Sequence, residues 1–239
     1  MRRGKLVVFL GPVGVGKSTV CRYLVSILRR KGYTASFIYV KAVHGLSFLI
    51  FYTIALLIFG RRLHNYIRKR IAPWYIVSKR NKILAEKITA IVAAIDTLIS
   101  LPLQLLRISL MLFFNDFVLC EEYLLGTIND HLYGLLKTKS VNIKWCLRAM
   151  IRILTAMALR CRPYLIIILD ANYHELLSRW RNRGYGELQW EYIFFQKVFL
   201  KLLREEMIIK GVTINYIDAN NGIIKVLQRA LSALPLIHR

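Results

Sequence analysis

Short uninterrupted apolar runs, separated by stretches of helical periodicity, set the first pattern in this chain. Lys5-Leu6-Val7-Val8-Phe9-Leu10 is apolar, β-branched and bounded by glycine, which predicts a strand buried on both faces. Val20, Tyr23, Leu24, Ile27 and Leu28 then recur at helical spacing, and Arg29, Arg30 and Lys31 followed by Gly32 suit a helix C-terminus. Residues 35–40 predict a second strand ending at Lys41, and the helical crossover makes it parallel to the first. Residues 116–120 predict a third, closing on Glu121-Glu122-Tyr123. A helix over 143–161 carries Lys144, Arg148 and Arg152 on one stripe, read as a solvated face. Residues 164–169 are a continuous apolar strand closing on Asp170. Helices over 173–183 and 188–210, a strand over 213–218 and a helix over 221–234 complete the pattern. The alternation predicts an α/β fold: a three-layer αβα domain over residues 1–239 with a mostly parallel sheet of about five strands.

Residues 42–114 interrupt that alternation and predict a helical, apolar and basic insertion. Residues 46–59 hold no charge, yet at 14 residues they fall short of the roughly 20 that a spanning helix needs. Residues 61–87 carry many cations and only Glu86 against them; 88–114 are apolar again, broken by Asp96, Pro102, Gln104 and Arg107. A spanning hairpin would put the basic loop on the face opposite the first strand and helix, against the positive-inside bias. A hairpin lying on an anionic membrane surface and a buried helical insertion both remain open.

Composition adds a basic surface. The 239 residues are 56% hydrophobic, with 36 Lys and Arg against 13 Asp and Glu, a formal net charge of +23. High charge together with high hydrophobicity indicates a folded chain whose partners are anionic: nucleotides, nucleic acid or anionic lipid. The four cysteines are far apart with no C-x-x-C spacing, so neither a zinc site nor a disulfide framework is expected. The first apolar run ends at Gly11-Pro12, too short for a signal peptide, and a cytoplasmic location is expected, with membrane association open.

The candidate chemistry begins at Gly11-Pro12-Val13-Gly14-Val15-Gly16-Lys17-Ser18-Thr19, which fits G-x-x-x-x-G-K-[ST] between a strand and a helix. A phosphate chain must be wrapped by backbone N–H groups, so side chains have to be absent at Gly11, Gly14 and Gly16, and the helix N-terminus adds its partial positive charge. Lys17 is expected on the β/γ-phosphates, Ser18 on Mg²⁺, and Gly11, Gly14, Val15, Gly16, Lys17, Ser18 and Thr19 around the nucleotide. Glu121 and Glu122 stand at a strand end on the ligand side of the sheet; strand neighbours point oppositely, so only one of the two should face the phosphates.

The sequence resembles the thymidylate kinase family of nucleoside monophosphate kinases over 4–41 and 115–234. The motifs are the P-loop, VLCEEY (118–123) where the family has an Asp-Arg-Tyr type segment, PYLIIILDANYHELLSRWRNRG (163–184) like its Leu-Asp strand end and Arg-bearing lid entrance, FFQKVFLKLL (194–203) like the helix after the lid, and IDAN (217–220) near the adenine. Lys41 sits roughly where the family keeps an arginine. The resemblance implies ATP and Mg²⁺ as cofactors and transfer from ATP to dTMP. It implies Lys17, Glu121, Arg179, Arg181 and Arg183 as catalytic residues, with the arginines closing over the phosphoryl group, and Ser18, Glu121 and Asp170 around the metal. Departures concentrate in the acceptor half: Glu122 replaces an arginine expected to hold the acceptor phosphate, Pro12-Val13 lack an acidic residue, and 42–114 are rewritten. The expected partners are therefore ATP and a nucleoside monophosphate acceptor, with an anionic membrane surface and a homodimer both open. A membrane-proximal or phosphate-free acceptor, and a nucleotide-dependent binding protein, are the alternatives. Nucleic acid is not expected, since basic–aromatic interleaving is confined to stretches such as 70–75.

Overall fold

The computed structural model describes residues 4–41, 46–68, 77–78, 80–161, 163–182, 190–209 and 211–234. Strands β1 (Lys5–Leu10), β2 (Ala35–Tyr39), β3 (Phe117–Glu121), β4 (Leu165–Asp170) and β5 (Ile214–Asp218) form one sheet in the order β2-β3-β1-β4-β5. Each neighbouring pair is parallel, as helical crossovers require. The helices among the described residues are α1 (Lys17–Arg30), α2 (Leu46–Phe59), α3 (Leu63–Arg68), α4 (Lys82–Ile95), α5 (Leu101–Phe114), α6 (Tyr123–Lys137), α7 (Val141–Arg160), α8 (Tyr173–Asn182), α9 (Trp190–Ile209) and α10 (Ile223–Ser232). The three-layer αβα arrangement with a five-stranded parallel sheet is as the sequence predicts.

Strand alternation divides the core into two layers. Val7 and Phe9 of β1 pack with Val20, Leu24 and Leu28 of α1 and with Val226 and Ala230 of α10. Leu6, Val8 and Leu10 point the other way, onto Leu124 and Ile128 of α6, Leu154 and Ala158 of α7, and Leu200 of α9. β1 lies between β3 and β4, so the loop that follows it opens at the centre of the sheet edge where strand C-termini gather.

Two local outcomes differ from the sequence reading. α6 begins immediately after β3, where no helix was expected. Its first two turns, from Tyr123 to Asn129, are buried all round, so they lack the polar face that would reveal a helical period. Asp116 does not open β3. It precedes the strand and accepts from Thr34 N and Thr34 Oγ1, both at 2.9 Å, pinning the start of β2 to that of β3.

Residues 46–68 and 80–114 pack along one side of the domain. α4, a π-helical turn at Asp96–Ser100 and α5 run as one stretch of 33 residues. Ala93 of α4 packs on Ile143 and Leu147 of α7, and Leu101 and Ile108 of α5 enter the core beneath the sheet. α2 lies outside α4, with Phe51 and Ala55 on Ala85, Ile88 and Val92. Asp96 is 1% exposed and accepts from Ser47 Oγ, which compensates a carboxylate in this apolar setting. Residues 69–76 of the basic stretch lie outside the described residues.

His131, buried in α6, has its pKa lowered from 6.5 to about 4 by burial, a shift that the neighbouring Asp130 only partly offsets. Above the unfolded value neither state binds the proton and this contribution to stability is complete. As pH falls from 6.5 toward 4 the unfolded chain binds it first, so stability is lost over that window. The loss attributable to this group is about 3 kcal/mol. The urea midpoint should fall across the window, and His131→Gln should flatten that part of the slope; an unchanged slope would show that His131 is not held neutral.

Candidate functional site

The loop between β1 and α1 is shaped by what surrounds it. A Cβ on Gly11 would lie 2.4 Å from the Leu169 carbonyl of β4, so only glycine fits there. Gly14 and Gly16 have φ of 91° and 104°, in the left-handed region that side chains disfavour, and Gly16 caps α1. The N-terminus of α1 thereby points its free N–H groups into the loop, the arrangement that receives phosphate.

Lys17, 4% exposed, turns back across the loop. Its Nζ donates to Gly11 O at 2.8 Å and Pro12 O at 3.1 Å, and pairs with Glu122 Oε1 at 2.8 Å. Ser18 Oγ donates to Glu121 Oε2 at 2.6 Å. Both glutamates therefore face the P-loop, which corrects the expectation that only one would. Strand alternation stops at Glu121: Glu122 has φ 72° and Tyr123 φ 55°, so the chain turns and swings the second carboxylate to the same side. Gly126 completes this seat, because a Cβ there would lie 2.6 Å from Glu122 Oε2. A lone glycine inside the apolar run Leu124-Leu125-Gly126 was the sequence signal for it.

The donor set of Ser18 and Glu121 fits Mg²⁺. A hydroxyl and a carboxylate oxygen in contact match an ion that takes few protein oxygens and leaves the rest to phosphate and water. Among the described residues no group of three or more His, Cys, Asp or Glu gathers to hold a metal ion. Asp170, expected beside Ser18, is engaged on the other side of β1. Its carboxylate accepts from Lys197 Nζ at 2.6 Å, from Ala171 N at 2.9 Å and from the Tyr216 hydroxyl, tying β4 to α9 and β5. Its strand-end position was legible, but its long-range partners were not.

The arginines separate in the same way. Arg179 donates from Nε to Glu175 at 2.8 Å, from Nη1 to Val15 O at 2.7 Å and from Nη2 to Ala219 O at 2.8 Å. Its guanidinium braces the back of the P-loop, with Nη1 3.8 Å from where a Cβ on Gly16 would be. Arg181 is exposed near the end of α8. Arg183 lies outside the described residues. Val15 is buried and Thr19 exposed, on either side of the loop–helix junction.

A polar chain missed in the sequence links β2 to the P-loop. Lys41 Nζ lies 3.9 Å from Asp130 Oδ2, Asp130 accepts from the Tyr192 hydroxyl, Gln196 Nε2 donates to Tyr192 at 3.2 Å, and Val13 N donates to Gln196 Oε1 at 3.1 Å. Burial alone would lower the Lys41 pKa, but Asp130 and the other anionic partners outweigh it and hold the group well above its ordinary value. Burial, reinforced by Asp130, pushes Tyr192 well up. Between this chain and the loop, a void of about 10 Å³ is lined by Gly11, Glu122, Gly126, Asn129 and Gln196. It is the size of one water. Asn129 Oδ1, buried there, has no hydrogen-bond partner.

No protein-family model and no curated protein matches the chain in sequence. Its structure is similar to that of a thymidylate kinase from Candida albicans, with a TM-score of 0.57 at 17% identity over 96% of this chain and 90% of that one. It is also similar to a deoxyadenosine kinase from M. mycoides, with a TM-score of 0.58 at 14% identity over 95% of this chain and 97% of that one. At such identities the likeness is one of fold: the chain has the three-layer P-loop kinase fold that a nucleoside monophosphate kinase and a deoxynucleoside kinase share.

Proposed function

We propose that this chain is an ATP- and Mg²⁺-dependent phosphotransferase. One observation carries the reading: Ser18 donates to Glu121 at 2.6 Å beside the buried Lys17, so hydroxyl, carboxylate and ammonium converge at the N-terminus of α1 inside a glycine loop. Entering phosphates would take the loop N–H groups and draw Lys17 from its carbonyl partners. When bound, Mg²⁺ would neutralise charge on the β- and γ-oxygens, held by Ser18 and Glu121. Arg179 keeps the loop in shape, while Arg181 and Arg183 are the candidates for reaching the phosphoryl group in flight.

The acceptor that the resemblance implies is dTMP, yielding dTDP and ADP. A second reading takes a phosphate-free hydroxyl acceptor, and the Glu122–Lys17 pair favours it. That buried carboxylate stands beside the P-loop lysine, where it would disfavour an acceptor phosphate and accept a hydrogen bond from an acceptor hydroxyl. The hydroxyl oxygen would bond the γ-phosphorus as the bond to the bridging oxygen of ADP breaks, and Glu122 would take the hydroxyl proton.

The deciding measurement is ADP release with ATP and Mg²⁺, with dTMP and with nucleosides as acceptors. Under the first reading release depends on dTMP, and Glu122→Gln lowers KM for dTMP by removing a repulsion. Under the second, release depends on a nucleoside or another alcohol, and Glu122→Gln lowers kcat by roughly 10²–10⁴-fold with loss of the acidic limb of the pH profile. Absence of ADP release with every acceptor would overturn the proposal.

Lys17→Ala should abolish transfer. It also removes the ammonium that pairs with the buried Glu122, so thermal stability should drop; adding Glu122→Gln to that variant should restore stability and not turnover. Arg179→Ala should weaken ATP binding by about tenfold or more, because two carbonyls lose a charged donor, and Arg179→Lys should not rescue a three-point fork. Arg181→Ala should lower kcat more than ATP affinity.

A further inference from the structure

We propose that the outer face of the 42–114 insertion docks, lying flat, on an anionic lipid bilayer. The inference stands apart from the catalytic reading, since none of its observations involves the P-loop.

The first observation is α2. Its 14 residues hold no charge, so both of its faces are apolar. One face, with Phe51 and Ala55, packs on α4. The other is open, and Leu49, Leu56 and Leu57 are 57%, 45% and 80% exposed. A helix on the outside of a water-soluble domain should turn a polar face outward. The same holds for α5, whose exposed Leu103, Leu106 and Leu110 recur at helical spacing on the side away from the core. In the most apolar windows of Ser47–Asn65 and Lys82–Phe114 only 22% and 33% of residues are buried, so these are not the inner helices of a core. Apolar surface on this scale calls for an occupant.

Charge identifies the occupant. Residues 42–115 contain ten Lys and Arg against two acids, Glu86 and Asp96. Asp96 is buried on Ser47, and Glu86 accepts from Thr138 at 2.9 Å. Exposed Arg61 and Arg62 directly follow α2, and exposed Arg80 and Lys82 stand at the start of α4. A second copy would bring this cationic rim against itself with no exposed acid to answer it, and like charges so placed disfavour association. An anionic bilayer answers both features: headgroups take the cations and the acyl boundary takes the leucines. The geometry is flat rather than spanning. Ala93, Leu101 and Ile108 hold α4 and α5 against the protein, leaving lipid only the outer face.

Flotation of the full chain, without nucleotide, on phosphatidylcholine vesicles and on vesicles containing phosphatidylglycerol tests this directly. Binding should require the anionic lipid, weaken in high salt and be released by alkaline carbonate. Arg61→Ser with Arg62→Ser should lower partitioning by about thirtyfold, from about 1 kcal/mol per cation. Leu56→Ser with Leu57→Ser should lower it by more than about tenfold, since both leucines leave the acyl boundary. Both pairs are exposed, so the far-ultraviolet circular dichroism should not change. Equal binding to neutral vesicles, indifference to either pair, or a sedimenting dimer dispersed by the leucine pair would overturn the proposal. Resistance to carbonate would overturn the flat geometry in favour of a span.

Discussion

Burying an ammonium group costs several kcal/mol unless new partners replace the water it leaves. Lys17 is buried at the foot of the P-loop, and much of the surrounding backbone answers to that requirement. Gly11 and Pro12 turn their carbonyls inward to meet it. β3 ends one residue early in its alternation so that Glu122 can meet it too, with two successive residues at positive φ. α6 then carries a glycine one turn on, since any side chain there would strike the same carboxylate. Those two ions hold together the ends of β1 and β3, the first turn of α1 and the start of α6, which are the elements from which a nucleotide site is built.

Parts of this arrangement were legible in the chain because they are local. The glycines, Lys17 and Ser18 form a contiguous motif, and the strands are continuous apolar runs that need no partner to be recognised. Glu121 was legible as a strand-end acid. The direction of Glu122 was not, because it depends on a turn whose cause lies in Lys17, 105 positions away. Asp170 was misread for the same reason: the rule for strand-end acids does not say on which side of β1 the side chain finds its partners, and Lys197 and Tyr216 decide it. Arg179 shares the segment of Arg181 and Arg183, but its geometry makes it a brace on Val15 and Ala219. The start of α6 was invisible because its first two turns, buried on every side, have no period to read.

The distribution of acids explains how so basic a chain keeps an ordered interior. Asp96, Asp116, Asp130, Asp170, Glu121, Glu122 and Glu175 are each engaged with a hydrogen-bond donor or a cation of the fold. With 36 lysines and arginines against 13 acids in all, the surplus of positive charge is a property of the surface. The polar chain from Lys41 through Asp130, Tyr192 and Gln196 to Val13 also gives β2, α6 and α9 a common connection to the P-loop.

The π-helical turn at Asp96–Ser100 has a bearing on how this insertion can diverge. A wider turn shifts the angular phase of everything beyond it, so the residues that α4 and α5 direct at their neighbours are set independently. α5 keeps faith with the sheet through Leu101 and Ile108, while α4 keeps faith with α2 and α7. Selection can therefore rewrite the outward half of the insertion without disturbing the half that anchors it, and one ancestral scaffold could acquire different surroundings while its phosphate loop stays as it is.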